Sequence, residues 1–77
     1  MNKQRRKELE KAMELIKEAR EIVEAMKDEE QEAFDNLPEG IQSSEKGENM
    51  ESAISEMEDA FSYLEDAYDN LSNSIEH

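Results

Sequence analysis

No cysteine and no tryptophan occur in this chain, and it contains one proline, two glycines and one histidine. Without cysteine there is neither a disulfide staple nor a thiolate metal site, and a catalytic thiol is excluded. With a single histidine, His77, at the very end, a Glu-x-x-His di-metal bundle site and a histidine-based nucleophile activation lack their central residue. Gly40 and Gly47 match no phosphate-cradling spacing. The run Asp28-Glu29-Glu30-Gln31-Glu32 lacks the glycine and alternating oxygen ligands of a calcium loop. No stretch approaches the roughly 20 apolar residues needed to span a bilayer. Met1-Asn-Lys-Gln-Arg-Arg-Lys is not followed by an apolar segment, so no secretory signal is expected. These absences point to a non-enzymatic chain without cofactor or metal, in the cytoplasm.

What is present is charge and heptads. The 77 residues carry a formal net charge of −13, and 40% of them are charged. Such a composition also occurs in disordered chains, but sustained heptads and abundant helix formers argue for order. Four consecutive units, Met50-Glu-Ser-Ala-Ile, Met57-Glu-Asp-Ala-Phe, Leu64-Glu-Asp-Ala-Tyr and Leu71-Ser-Asn-Ser-Ile, repeat every seven residues. Each starts with a large apolar residue, has a small one fourth and a large one fifth. This is the period of a helix that packs along another helix. The first half repeats the frame with Leu9, Ile16, Val23 and Leu37, and with Ala12, Ala19, Met26 and Ala33 at the small position. Leu15 and Ile22 widen its stripe on one side, Met13 and Phe34 on the other.

Between the halves, Pro38 disfavours helical geometry at Leu37 and ends the first helix. Ser43 or Ser44 can cap the second, with Glu45 and Glu48 near its positive end. The pattern predicts one domain, residues 1–77: a helix over about 3–36, a turn over about 37–43 and a helix over about 44–74. A short helical turn starting at Pro38, with Leu37 and Ile41 tucked into the mouth, is an alternative for the connection. Equal helix lengths and a short connection predict an all-α antiparallel two-helix hairpin. Leu9 then lies near Leu71, Ile16 near Leu64 and Val23 near Met57.

A chain this short builds a small core, so self-association is expected. With an alanine-rich seam, Ile54, Phe61, Tyr68 and Ile75 project to its flank. Together with Leu15 and Ile22 they are the candidate interface of a homodimer forming a four-helix bundle, or of a higher oligomer. A monomeric hairpin with an apolar side is the alternative.

The charge is segregated. Residues 1–20 hold seven Lys/Arg (Lys3, Arg5, Arg6, Lys7, Lys11, Lys17, Arg20) against four Glu, whereas residues 21–77 hold Lys27 and Lys46 against eighteen acids. The antiparallel arrangement places the basic segment beside the acidic end of the second helix, so the N-terminal cations are expected to be engaged within the molecule. Direct nucleic-acid binding is disfavoured, because the basic cluster is short, lacks aromatics and adjoins an acidic body. Anionic membranes are disfavoured for the same reason.

Rows of carboxylates on a rigid rod can instead imitate a nucleic-acid backbone and occupy the basic groove of a DNA- or RNA-binding protein. The candidate partner-binding residues are Glu58, Asp59, Glu65, Asp66 and Asp69, joined on the first helix by Glu21, Glu24, Asp28, Glu32 and Asp35. Charge for solubility alone is the bland reading of the same rows. Glu30, at a seam position opposite Met50, is either a carboxylate whose stem packs or a polar contact that fixes register or meets a partner. Tyr63 lies off the seam and is either a partner anchor or a surface side chain shielding its neighbours.

The segment Leu37-Pro38-Glu39-Gly40-Ile41-Gln42, followed by Ser44-Glu45-Lys46-Gly47-Glu48 and Met50-Glu51, resembles small acidic proteins of phages and prophages of Gram-positive bacteria. The resemblance covers the turn and most of the second helix, including the Leu-Glu-Asp-Ala repeats. It implies a phage setting, in which such a protein binds and blocks or modulates a host protein, and it carries over no site residues. Two other functions fit the residues: a self-assembling structural or scaffolding module, and an oligomer that sequesters an anionic nucleotide at Lys3, Arg5, Arg6 and Lys7.

Overall fold

The computed structural model describes residues 1–77 as three helices: α1 (Lys3–Asp35), α2 (Glu39–Gln42) and α3 (Glu45–Glu76). The two long helices pack against each other in an antiparallel hairpin measuring 58 × 14 × 13 Å. Each long helix begins at a side-chain cap. The Asn2 carboxamide oxygen accepts from the Arg5 amide at 2.8 Å, and the Ser44 hydroxyl accepts from the Gly47 amide at 3.5 Å. Such caps satisfy amide donors that a first turn otherwise leaves unpaired.

The connection takes the form of the helical turn beginning after Pro38, the alternative left open by the sequence. Proline suits this place because its missing N–H and fixed φ cost nothing at a helix start. Leu37 is half-buried at the mouth, as expected, but Ile41 is exposed, because it faces away from α3 on the single turn of α2. Gln42 faces inward instead, and its Nε2 donates to the Phe34 carbonyl at 3.0 Å, a second donor to an oxygen in the last turn of α1 that also accepts from the Leu37 amide. Gly47 is one of only two buried residues. A Cβ built there would stand 1.9 Å from the Gln42 carbonyl oxygen, so α2 lies directly on the first turn of α3 at a distance only glycine permits.

With Leu9 and Met50 both assigned position a of a heptad, the residues withdrawn from water on the two long helices fall at a, d and e, apart from Ser72 at b. On α3 these are Met50, Met57, Leu64 and Leu71 at a, Ala53, Ala60, Ala67 and Ser74 at d, and Gly47, Ile54, Phe61, Tyr68 and Ile75 at e. On α1 they are Leu9, Ile16, Val23 and Glu30 at a, with Leu37 continuing the frame just past the helix, Ala12 and Ala19 at d, and Met13, Arg20, Lys27 and Phe34 at e. Residues at a, d and e span about 100° of a helix, as a packed stripe requires.

The free ends close on each other. The Arg6 Nε donates to the Ile75 carbonyl at 3.1 Å, and the Met1 ammonium donates to the His77 carbonyl at 3.4 Å. Lys3, Arg5 and Arg6 sit at the positive end of their own helix, where cations are unfavourable. The same cations lie beside the negative end of α3, whose last turn has no basic residue of its own. α1 thus supplies in space the C-terminal cations that α3 lacks in sequence.

Candidate functional surfaces

Position e is the most densely used side of the hairpin. In the antiparallel pairing the e row of α1 (Arg6, Met13, Arg20, Lys27, Phe34) runs over the e row of α3 (Ile75, Tyr68, Phe61, Ile54). Arg20 lies across two rings one heptad apart, its guanidinium carbon 5.9 Å from the Phe61 centroid and 5.7 Å from that of Tyr68. The guanidinium is attracted by both ring faces while its stem excludes water from them. Ile54, one heptad before Phe61, is the one buried large side chain, at 6% exposure.

The expectation that Ile54, Phe61, Tyr68 and Ile75 form an open flank is therefore corrected. Ile54 is enclosed within the hairpin, Phe61 and Tyr68 are covered by Arg20, and Ile75 is half-buried beside the Arg6 contact. Leu15 and Ile22 do remain open, at 59% and 63% exposure, but they occupy position g on the opposite side of the seam. The six residues thus divide between two sides and form no common patch.

The g side has a different character. Leu15 and Ile22 are joined there by Met26 at d, and Tyr63, at position g of α3, is 70% exposed. In the antiparallel pairing Tyr63 stands level with residues between Leu15 and Ile22. Together they make an apolar strip near the middle of the rod.

Of the acids of α3, Glu58 and Glu65 at position b flank the e side and face a groove shared with α1, whereas Asp59 and Asp66 at c and Asp69 at f point away from it; all five are exposed. None of them is in an ion pair. The one ion pair of the molecule joins sequence neighbours, the Lys27 Nζ and an Asp28 carboxylate oxygen at 3.3 Å. The expectation that the N-terminal cations are engaged internally by the acids of α3 is corrected accordingly. Arg6 is bonded to a carbonyl and Arg20 to aromatic faces, while Lys3, Arg5, Lys7, Lys11 and Lys17 are exposed and unpaired. On α1, Glu21, Glu24, Asp28, Glu32 and Asp35 are exposed as well.

Two hollows mark the rod. One, on the e side, is lined by Glu24, Lys27, Glu58, Phe61, Ser62 and Glu65, so Lys27 lies within an otherwise acidic groove. The other, at the mouth, is lined by Glu30, Glu45, Lys46, Asn49 and Met50. Glu30 is half-buried there, across the hollow it shares with Met50, and its carboxylate is free of any hydrogen bond or ion pair within the chain. No three His, Asp or Glu side chains converge as metal ligands, and no helix is long and apolar enough to cross a membrane. No hollow lies at Lys3, Arg5, Arg6 and Lys7, so the structure adds nothing to the nucleotide reading.

No family model, no curated protein and no solved structure matches the chain. The geometry of these surfaces therefore carries the functional argument alone.

Proposed function

We propose that this is a non-enzymatic accessory protein of a phage or prophage, acting in the cytoplasm of the bacterial host. It binds a host protein through the exposed acids of α3, in the manner of a nucleic-acid mimic, and inhibits or modulates it. The observation that carries this reading is the unpaired carboxylate row. Between residues 58 and 69, Glu58, Asp59, Glu65, Asp66 and Asp69 have no Lys or Arg among them on their own helix. Eleven helical steps of 1.5 Å separate the first from the last, so successive charges lie on average about 4 Å apart along the axis. A single nucleic-acid strand carries one per about 3.4 Å. The density of charge is thus comparable to that of the backbone a basic groove is built to receive.

The test is a charge reversal of Glu58, Asp59, Glu65 and Asp66 to lysine, applied to the complex captured from host lysate and eluted in a salt gradient. All four side chains are exposed, so circular dichroism should show the helices unchanged. The expected result is loss of one stoichiometric partner, a partner that DNA or RNA also displaces from the native protein. A complex that survives the reversal, or that nucleic acid does not compete with, removes the mimicry reading. A second reading, a self-assembling structural module, is favoured by one observation: the exposed Leu15, Ile22, Met26 and Tyr63. It predicts self-association without a host partner.

A further inference from the structure

Six large apolar side chains are exposed, and four of them gather in one place. Met1 and Ile41 stand at opposite ends of the rod. Leu15, Ile22, Met26 and Tyr63 share the strip of the g side, at 46% to 70% exposure. From Leu15 to Met26 the strip is about 16 Å long, three turns of helix. Its rim is acidic. Position c adjoins g on a helix surface, so Glu18 stands between Leu15 and Ile22, and Asp59 and Asp66 flank Tyr63 at i−4 and i+3. Glu29 closes the far end beside Met26, and Glu56, one heptad before Tyr63, stands level with the stretch between Ile22 and Met26. All five acids are exposed and none is in an ion pair. Lys11, one turn before Leu15, is the one cation on this rim.

An apolar centre bordered by carboxylates is the counterpart of a helix whose apolar face is bordered by Lys and Arg. We propose that the g side receives such a basic amphipathic helix from a partner protein. Its apolar anchors, at i, i+4 and i+7, seat on Leu15, Ile22, Met26 and Tyr63, and its flanking cations meet Glu18, Glu29, Glu56, Asp59 and Asp66. A second copy of the chain fits poorly, because it brings the same carboxylates. A twofold axis near the middle of the strip would set the two copies of Glu18 together, between chains of −13 each. Anionic lipid is repelled by the same rim. The surface is at the small end of specific interfaces, so the complex should be micromolar. The proposal does not rest on nucleic-acid mimicry, which needs charge alone. It shares Asp59 and Asp66 with that reading and adds an apolar requirement that a phosphate backbone does not meet.

The probe is a fluorescent peptide of about 18 leucine and lysine residues, roughly five helical turns, with its leucines on one face. A permuted peptide of the same composition, its leucines spread around the helix, controls for charge. Anisotropy titration with the full chain at about 0.15 M salt should give micromolar binding of the first and at least tenfold weaker binding of the second. Ile22→Ser combined with Tyr63→Ser should weaken the first about tenfold, with helix content retained because both side chains are exposed. Ile41→Ser, exposed but off the strip, should change nothing. Equal binding of the two peptides, or unchanged affinity in the Ile22→Ser/Tyr63→Ser chain, would mean that charge alone holds the peptide and would overturn the proposal. So would a dimer in sedimentation equilibrium that Ile22→Ser dissociates, since a second copy would then occupy the strip. A host complex that nucleic acid does not displace removes the mimicry reading and leaves each of these outcomes as it stands.

Discussion

Replacing Gly47 by alanine sets two effects of opposite sign against each other, and the structure says which prevails. In a helix, alanine is favoured over glycine by up to about 1 kcal/mol, somewhat less in the first turn. Judged by propensity alone, Gly47→Ala should stabilise α3. The added methyl, however, would stand 1.9 Å from the Gln42 carbonyl oxygen and 2.4 Å from its carbon. Both atoms belong to backbone, so no side-chain rotation relieves the overlap. α2 must lift from α3, which endangers the Gln42 bond to the Phe34 carbonyl and the Ser44 cap on the Gly47 amide. A net hydrogen bond is worth about 1 kcal/mol and a cap about the same. Losing both outweighs the propensity gain, so a net destabilisation of about 1–2 kcal/mol is expected. Gly40 is the internal control. A Cβ there meets nothing within 4 Å and the residue has no positive φ, so Gly40→Ala should stabilise by about 0.5–1 kcal/mol. Urea unfolding followed at 222 nm reads both. If Gly47→Ala is as stabilising as Gly40→Ala, α2 does not rest on α3 and the account of the turn fails.

Three further substitutions test the packing. Ile54→Ala removes most of the one buried large side chain and should cost about 2–3 kcal/mol, at the lower end for a core isoleucine because neighbouring seam positions are half open. Arg20→Gln keeps much of the stem but removes the cation from the faces of Phe61 and Tyr68. It should cost about 1 kcal/mol by the same urea assay, with the loss persisting at high salt, where a surface ion pair would be screened. Ser44→Ala should cost about 1 kcal/mol and fray the start of α3, visible as faster hydrogen exchange at Gly47 and Glu48.

Heptad spacing made the two long helices, their antiparallel order and nearly all of the seam legible in the sequence. The boundaries at Pro38 and Ser44 followed from local chemistry that acts within a few residues. The role of position e was not legible in the same way. Ile54, Phe61 and Tyr68 stand out as large apolar residues beyond an alanine seam, and apolar residues beyond a seam suggest a partner. What covers them is Arg20, a residue counted as charge rather than as packing surface. One signal was available: Arg6, Arg20 and Lys27 recur at the e position of α1, directly over the aromatic row once antiparallel pairing is assumed. Ile41 was harder, because a single helical turn carries no periodicity from which its facing can be derived.

The same use of arginine bears on the acidic face. Neutralising the carboxylates of α3 from within would require the nearest long cations, Arg6, Arg20 and Lys27. Arg6 satisfies a terminal carbonyl of α3, and Arg20 covers two rings that would otherwise meet water. Moving Arg20 across to an exposed carboxylate would exchange buried aromatic surface for a surface ion pair worth about 0–1 kcal/mol. The fold therefore holds its cations at the seam and leaves Glu58, Asp59, Glu65, Asp66 and Asp69 without internal partners. The open charge is thus a consequence of how a thin alanine seam is sealed. Arg20→Met seals the rings without a cation, so the fold should persist. The −13 chain becomes more acidic still, and a partner held by charge should then bind no more weakly than before. Weaker binding by Arg20→Met, with the helices intact, would mean that the partner meets the e-side groove lined by Lys27, Glu58 and Glu65 rather than Asp59, Asp66 and Asp69.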